Sequence, residues 1–196
     1  GHLPKALAYG VSLQTQDTLY IAGGESSEGS ERSFYRLTLD PHGALRTDTL
    51  PPLPFTINNA TGAVLGQRLY LVGGMQDGVA SGSVWVYDLG HSEDGWRHLA
   101  ELPEAGGYLQ PVASVVGDSL YVSGGFTLGD AEHPARVHQG IHSLSLTDPR
   151  GGWHTHYLTL TAPKRRDYWA GGNFVPVAGG IIATGGVHTE IFEPAI

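Results

Sequence analysis

The feature that most constrains this chain is a short apolar run closed by two glycines and written four times. TLYIAGG (Thr18–Gly24) returns as RLYLVGG (Arg68–Gly74) and SLYVSGG (Ser119–Gly125), and more loosely as GIIATGG (Gly180–Gly186). The second glycines fall at 24, 74, 125 and 186, in steps of 50, 51 and 61 residues. A fixed internal period means that one supersecondary unit is being stacked on copies of itself. The 29 glycines in 196 residues follow no G-X-Y period, so they punctuate many short strands rather than a triple helix.

A period near fifty is the kelch spacing, one four-stranded propeller blade per repeat. The second unit is the clearest. ATGAVL (Ala60–Leu65) reads as its first strand, RLYLVGG as its second, SVWVYDL (Ser83–Leu89) as its third and GWRHLAEL (Gly95–Leu102) as its fourth. The pairs Gly66–Gln67 and Gly117–Asp118 suit two-residue hairpins, because glycine takes positive φ without a steric penalty. The predicted fold class is all-β, a kelch-type β-propeller with about three and a half blades. Blade one spans about 6–50, blade two about 56–102, blade three about 108–160 and a partial blade four about 168–196. The di-glycine is expected where a Cβ would collide with the adjacent blade or block a sharp turn. Trp96 and Trp153, at matching places in strand four, are expected to pack between blades. Because closed propellers have four to eight blades, a fragment of a longer chain is expected, completed by further blades or by a second copy.

A net charge of −8 argues against a nucleic-acid partner, which needs clustered Lys and Arg. No apolar run approaches the roughly 18 residues of a membrane span, and no signal peptide is visible. With no cysteine, disulfides and zinc–thiolate sites are excluded. His133, His138 and His142 are spaced five and four apart; that segment reads as a loop entering a strand, so no metal is expected.

The stretches AYGVSLQTQDTLYIAGGES (Ala8–Ser26), LPPLPFTINNATGAVLGQRLYLVGG (Leu50–Gly74) and ATGGVHTEIF (Ala183–Phe192) resemble bacterial N-acetylneuraminate mutarotases, in the block order of the cyclically permuted branch. The resemblance implies a six-bladed kelch propeller, a periplasmic or secreted location and no cofactor. It also implies an enzyme that exchanges the anomers of sialic acid, a small carbohydrate ligand. The alternative is a non-catalytic kelch propeller binding a glycan or a protein. Two departures stand out. Tyr108 occupies a position where the family often has Arg, and the family's acid-plus-arginine cleft pair belongs to a blade beyond Ile196.

Mutarotation needs a group to take the anomeric hydroxyl proton and another to protonate the ring oxygen, each contributing about 10²–10⁴-fold. A carboxylated sugar also needs a cation or a nest of N–H groups. Loops after each di-glycine and loops leading into each first strand offer such groups at a channel mouth. Glu25 is the expected acid/base, with Arg32 beside it as the other catalytic candidate. Arg32 or Arg166 would anchor the carboxylate. Asn59, Gln110, Tyr108 and Trp169 are the remaining substrate-binding candidates.

Overall fold

The computed structural model describes residues 2–129, 134–138, 140–156, 170–178 and 180–187. Three four-stranded antiparallel meanders follow one another. The first is β1 (Val11–Gln14), β2 (Leu19–Ala22), β3 (Phe34–Leu39) and β4 (Leu45–Thr49). The second is β5 (Thr61–Leu65), β6 (Arg68–Val72), β7 (Ser83–Asp88) and β8 (Trp96–Glu101). The third is β9 (Val112–Val116), β10 (Ser119–Ser123), β11 (Ile141–Ser145) and β12 (Trp153–His156). A paired β13 (Ala170–Val177) and β14 (Gly180–Val187) begin a fourth. These are kelch propeller blades. The Gly66 and Gly117 hairpins are tight, with Leu65 opposite Arg68 and Val116 opposite Ser119, and both glycines have positive φ.

Alternation along each strand sends one set of side chains to each neighbouring blade. Val11, Leu13, Tyr20, Ala22 and Phe34 of the first blade share a buried cluster with Leu69, Leu71, Tyr87 and Trp96 of the second. On its opposite face the second blade gives Ala63, Tyr70, Val72, Val84 and Val86 to a cluster with Leu120, Val122 and Leu146 of the third. Each fully buried Leu or Phe contributes about 1.5–3 kcal/mol by leaving water. Trp96 stands 5.3 Å from Phe34 and 5.2 Å from Tyr87, centroid to centroid, and so bridges two blades. Trp153 packs against the second cluster. Both tryptophans lie where the repeat predicts.

The connecting segment 50–57 is also core. Leu53, Phe55 and Ile57 are buried between the first two blades, and Phe55 packs on Trp85 at 4.6 Å. Its backbone ladders onto the first blade: the N–H groups of Leu50, Leu53 and Ile57 donate to the carbonyls of Phe34, Arg32 and Glu31.

The glycine pairs answer to two different neighbours. Gly23 and Gly73 have φ of 64° and 65°. A Cβ on Gly23 would lie 2.3 Å from the Ile57 carbonyl oxygen, and one on Gly73 would lie 2.5 Å from that of Tyr108; both oxygens belong to the next blade's lead-in. The second glycines face their own blade, with Cβ positions 2.9 Å from the Ala8 oxygen (Gly24) and 2.7 Å from the Asn58 oxygen (Gly74). The N–H groups of Gly24 and Gly74 then donate to Ile57 and Tyr108 at 2.7 Å, stitching blade to blade.

Candidate functional site

The first strands β1, β5, β9 and β13 pack side by side, which makes them the wall of the hub. A cavity of about 370 Å³ lies against them, lined by uncharged residues, mostly small (Gly10, Ser12, Ala60, Thr61, Gly62, Ala113, Gly172 and Asn173) with Val11, Val112 and Phe174. Gly62 has no room for a side chain. A Cβ on Gly62 would meet Leu13 Cδ2 and the Tyr70 oxygen at 2.6 Å.

One mouth of this hub is built from a repeated backbone device. Tyr9, Asn59 and Gln110 each stand two residues before a first strand and Gly171 is the second residue of β13, and all four are left-handed, with φ of 55°, 52°, 52° and 61°. Such φ values are uncommon outside glycine. In the last three they turn the N–H toward the preceding blade. Asn59 donates to the Tyr9 carbonyl (3.1 Å), Gln110 to that of Asn59 (2.7 Å) and Gly171 to that of Gln110 (2.8 Å). A relay of side-chain amides runs beside it. Gln110 Nε2 donates to Asn59 Oδ1 (3.0 Å), Asn59 Nδ2 to Asn58 Oδ1 (2.9 Å) and Asn58 Nδ2 to Ser30 Oγ (2.7 Å). Each primary amide has two N–H donors and a two-lone-pair oxygen, so Asn59 and Gln110 retain capacity for a ligand's hydroxyls.

The two loop sets named from sequence meet at this mouth. Glu25 pairs with Ala8, Met75 with Asn58 and Phe126 with Leu109, so each post-glycine hairpin ladders onto its own blade's lead-in. Glu25 and Arg32 are exposed on the first blade's hairpin, and neither forms an ion pair among the described residues. Glu31, just after the hairpin, is a paired carboxylate. It accepts from Lys5 Nζ (2.8 Å), Ser26 Oγ (2.7 Å) and Ser33 Oγ (3.1 Å), and the Lys5 contact above all holds it below the usual carboxylate range. Lys5 also reaches Glu28 at 3.0 Å. Sequence reading missed Lys5, which sits alone in an unpatterned stretch. Asp77, in the second blade's hairpin, caps Thr56 by accepting from its N–H (2.9 Å) and hydroxyl (3.1 Å).

Tyr108 is a correction. Expected to face substrate, it is completely buried between the second and third blades. The reason is the repeat: like Ile57, it leads into a first strand and offers its carbonyl to the preceding blade's second glycine. Its ring stacks on His138 at 3.7 Å and 11°, and burial raises its hydroxyl pKa, so it stays a neutral phenol. Arg166 and Trp169 lie outside the described residues.

His138 and His142 are likewise buried, around Glu104. His138 Nδ1 lies 3.0 Å from Glu104 Oε2 and its Nε2 lies 2.8 Å from the Gly107 oxygen. His142 Nε2 lies 3.4 Å from the Tyr108 hydroxyl and Nδ1 lies 3.0 Å from Thr155 Oγ1; burial lowers its pKa and keeps it neutral. Among the described residues no group of three or more His, Cys, Asp or Glu has a metal-binding arrangement. Nothing in the local sequence marks Glu104, which joins the cluster through blade packing.

Comparison with known proteins agrees with this architecture. The Kelch motif matches residues 58–103. An N-acetylneuraminate epimerase of Salmonella enteritidis PT4 is 31% identical over 97 residues, covering 50% of this chain and 24% of that protein. That of Vibrio vulnificus is 35% identical over 86 residues, covering 43% and 21%. An F-box/kelch-repeat protein of Arabidopsis thaliana is 27% identical over 139 residues, covering 62% and 36%. The matched stretch is thus about a quarter of the epimerases' length. The solved structure of YjhT superposes with a TM-score of 0.67 at 18% identity, covering 89% of this chain and 56% of that one. Period, blades and solved neighbour agree that the chain has the fold of a kelch-repeat β-propeller, with a Kelch motif over residues 58–103 and N-acetylneuraminate epimerases among its sequence relatives.

Proposed function

We propose that the full-length protein is a mutarotase of N-acetylneuraminate, speeding exchange of its α and β anomers by acid/base ring opening and closure. The observation that carries the reading is the hub mouth. It is a cleft of sugar size with uncharged lining, rimmed by amides and ladder-tied hairpins, in a chain whose relatives include N-acetylneuraminate epimerases. Neutral amides suit the hydroxyl-rich body of a sugar, since they donate and accept without a charge to desolvate. Glu25 is the acid/base candidate: it is exposed on the hairpin that bridges to Ala8, next to the left-handed Tyr9, and forms no ion pair among the described residues. Arg32 on the same hairpin, or Arg166, would hold the sugar's carboxylate.

Mutarotation needs no net redox change. The base removes the anomeric O–H proton as the ring C–O bond breaks and an acid protonates the ring oxygen; closure on the other face reverses both transfers. Freshly dissolved α-anomer, followed by proton NMR with the full-length protein, tests this directly. Conversion faster than in buffer is expected, and a rate equal to buffer from folded protein would contradict it. A non-catalytic kelch module is the second reading, favoured by the match to the F-box/kelch-repeat protein over 62% of this chain. It predicts a folded protein with no rate enhancement.

A further inference from the structure

The amide relay at the mouth runs in one direction, from the third blade to the first. Gln110 Nε2 donates to Asn59 Oδ1, Asn59 Nδ2 to Asn58 Oδ1 and Asn58 Nδ2 to Ser30 Oγ. The oxygen at its far end, Gln110 Oε1, accepts from no group among the described residues. Gly171, the left-handed residue of the next blade, leaves that oxygen uncovered: a Cβ there would lie 3.1 Å from it.

The blade repeat shows what the two inner positions of the relay need. Ser30 stands opposite Glu25, as Ala80 stands opposite Met75 and Val137 opposite Phe126; each partner is the residue after a second glycine. Asn58 pairs with Met75, as Ala8 pairs with Glu25 and Leu109 with Phe126. The backbone around them repeats too. Ile57 donates to the Glu31 carbonyl at 3.0 Å between the first and second blades, and Tyr108 to that of Ser81 at 2.9 Å between the second and third. The equivalents of Ser30 and Asn58 among the described residues are therefore apolar, and the same ladders form without a polar pair. Asn58 is nonetheless only 7% exposed. Burying its amide carries a desolvation cost that a leucine would not, so the joint between blades does not account for it.

We propose that Ser30 and Asn58 are positioning residues for the mouth. They fix the direction of the Asn59 and Gln110 amides, so that Gln110 offers its oxygen to the ligand and selects a donor there, a hydroxyl or an N–H. Which ligand it meets rests on the mouth reading; the positioning rests on the relay alone. A free glutamine side chain loses rotamer entropy when it is ordered on binding. The relay orders it beforehand, and each amide polarises the next. Its anchor is sheet: Asn58 lies in the ladder to Met75 and Ser30 in the ladder to Glu25.

The test is the double variant Ser30→Ala/Asn58→Leu in the full-length protein, which copies into the first joint the residues found at the second. It should fold with an equal or higher urea midpoint, because both partners of a buried polar pair are replaced together. In ¹⁵N NMR without sugar, its Gln110 side-chain amide protons should exchange with water about tenfold faster than in the unmodified protein. KM for N-acetylneuraminate should rise about fivefold with little change in kcat. Ser30→Thr keeps a hydroxyl and should hold Gln110 exchange within about twofold of the unmodified rate. A lower midpoint or a failure to fold would make the pair part of the blade joint and overturn the proposal. So would unchanged Gln110 exchange or an unchanged KM in the double variant, or exchange in Ser30→Thr as fast as in the double variant. The exchange measurement involves no sugar. Absence of N-acetylneuraminate binding while the expected exchange pattern holds therefore contradicts the mouth reading alone, and unchanged exchange in the double variant contradicts the positioning alone.

Discussion

At the scale of single residues, conformation and contact make separable demands on the glycines. Gly66 has φ of 58° with nothing near its Cβ position, whereas Gly73 has φ of 65° and would place a Cβ 2.5 Å from the Tyr108 oxygen. Gly66→Ala should cost about 1 kcal/mol for the left-handed conformation alone. Gly73→Ala should cost about 2–4 kcal/mol, because a backbone oxygen of the next blade must also move. Urea denaturation of the two variants checks the difference; equal losses would contradict the inter-blade contact. Gln110→Ala should raise KM about fivefold with little change in kcat, since it removes roughly 1 kcal/mol of binding common to ground and transition states. The need for glycine was legible in the sequence because it is a local backbone requirement recurring at a fixed offset. The burial of Tyr108 was not: it depends on where the previous blade's glycines arrive.

At the scale of elements, the tryptophans and the first hairpin make the sharpest statements. Trp96 bridges two blades, and Trp96→Ala should destabilise by about 3–5 kcal/mol, read from the chemical-denaturation midpoint. The hairpin after Gly24 is held by Glu31, whose pKa is lowered by Lys5. For a carboxylate held below its ordinary value, the stabilisation is present above that value and lost as pH falls through the carboxylate range. Lys5→Met should therefore flatten the acid limb of stability between about pH 5 and 3. An unchanged limb in thermal melts would contradict the assignment. Strand order within each blade was readable from period-two alternation and hairpin glycines. The ladders between hairpins and lead-ins were not, because they join segments separated by some 17 residues through backbone groups that carry no sequence signature.

At the scale of the whole molecule, the same unit does two jobs. Its faces bury apolar side chains against neighbouring blades, and its first strand contributes one sector of the hub wall. Repetition thereby carries the left-handed residue of each lead-in to the same mouth, where one blade's N–H meets the preceding blade's carbonyl. The architecture was legible from the period alone, since only stacked units can cover one another's faces. The candidate site was legible in part: Asn59 and Gln110 come together at the mouth, Tyr108 does not, and Glu104 and His138 carried no local signal. The most direct measurement of the central claim is a ¹H–¹⁵N titration of the full-length protein with N-acetylneuraminate. The amides of Asn59, Gln110 and Gly171 should shift together and saturably while those of β4, β8 and β12 stay fixed. Shifts confined to the outer strands, or none at saturating sugar, would contradict a binding site at the hub.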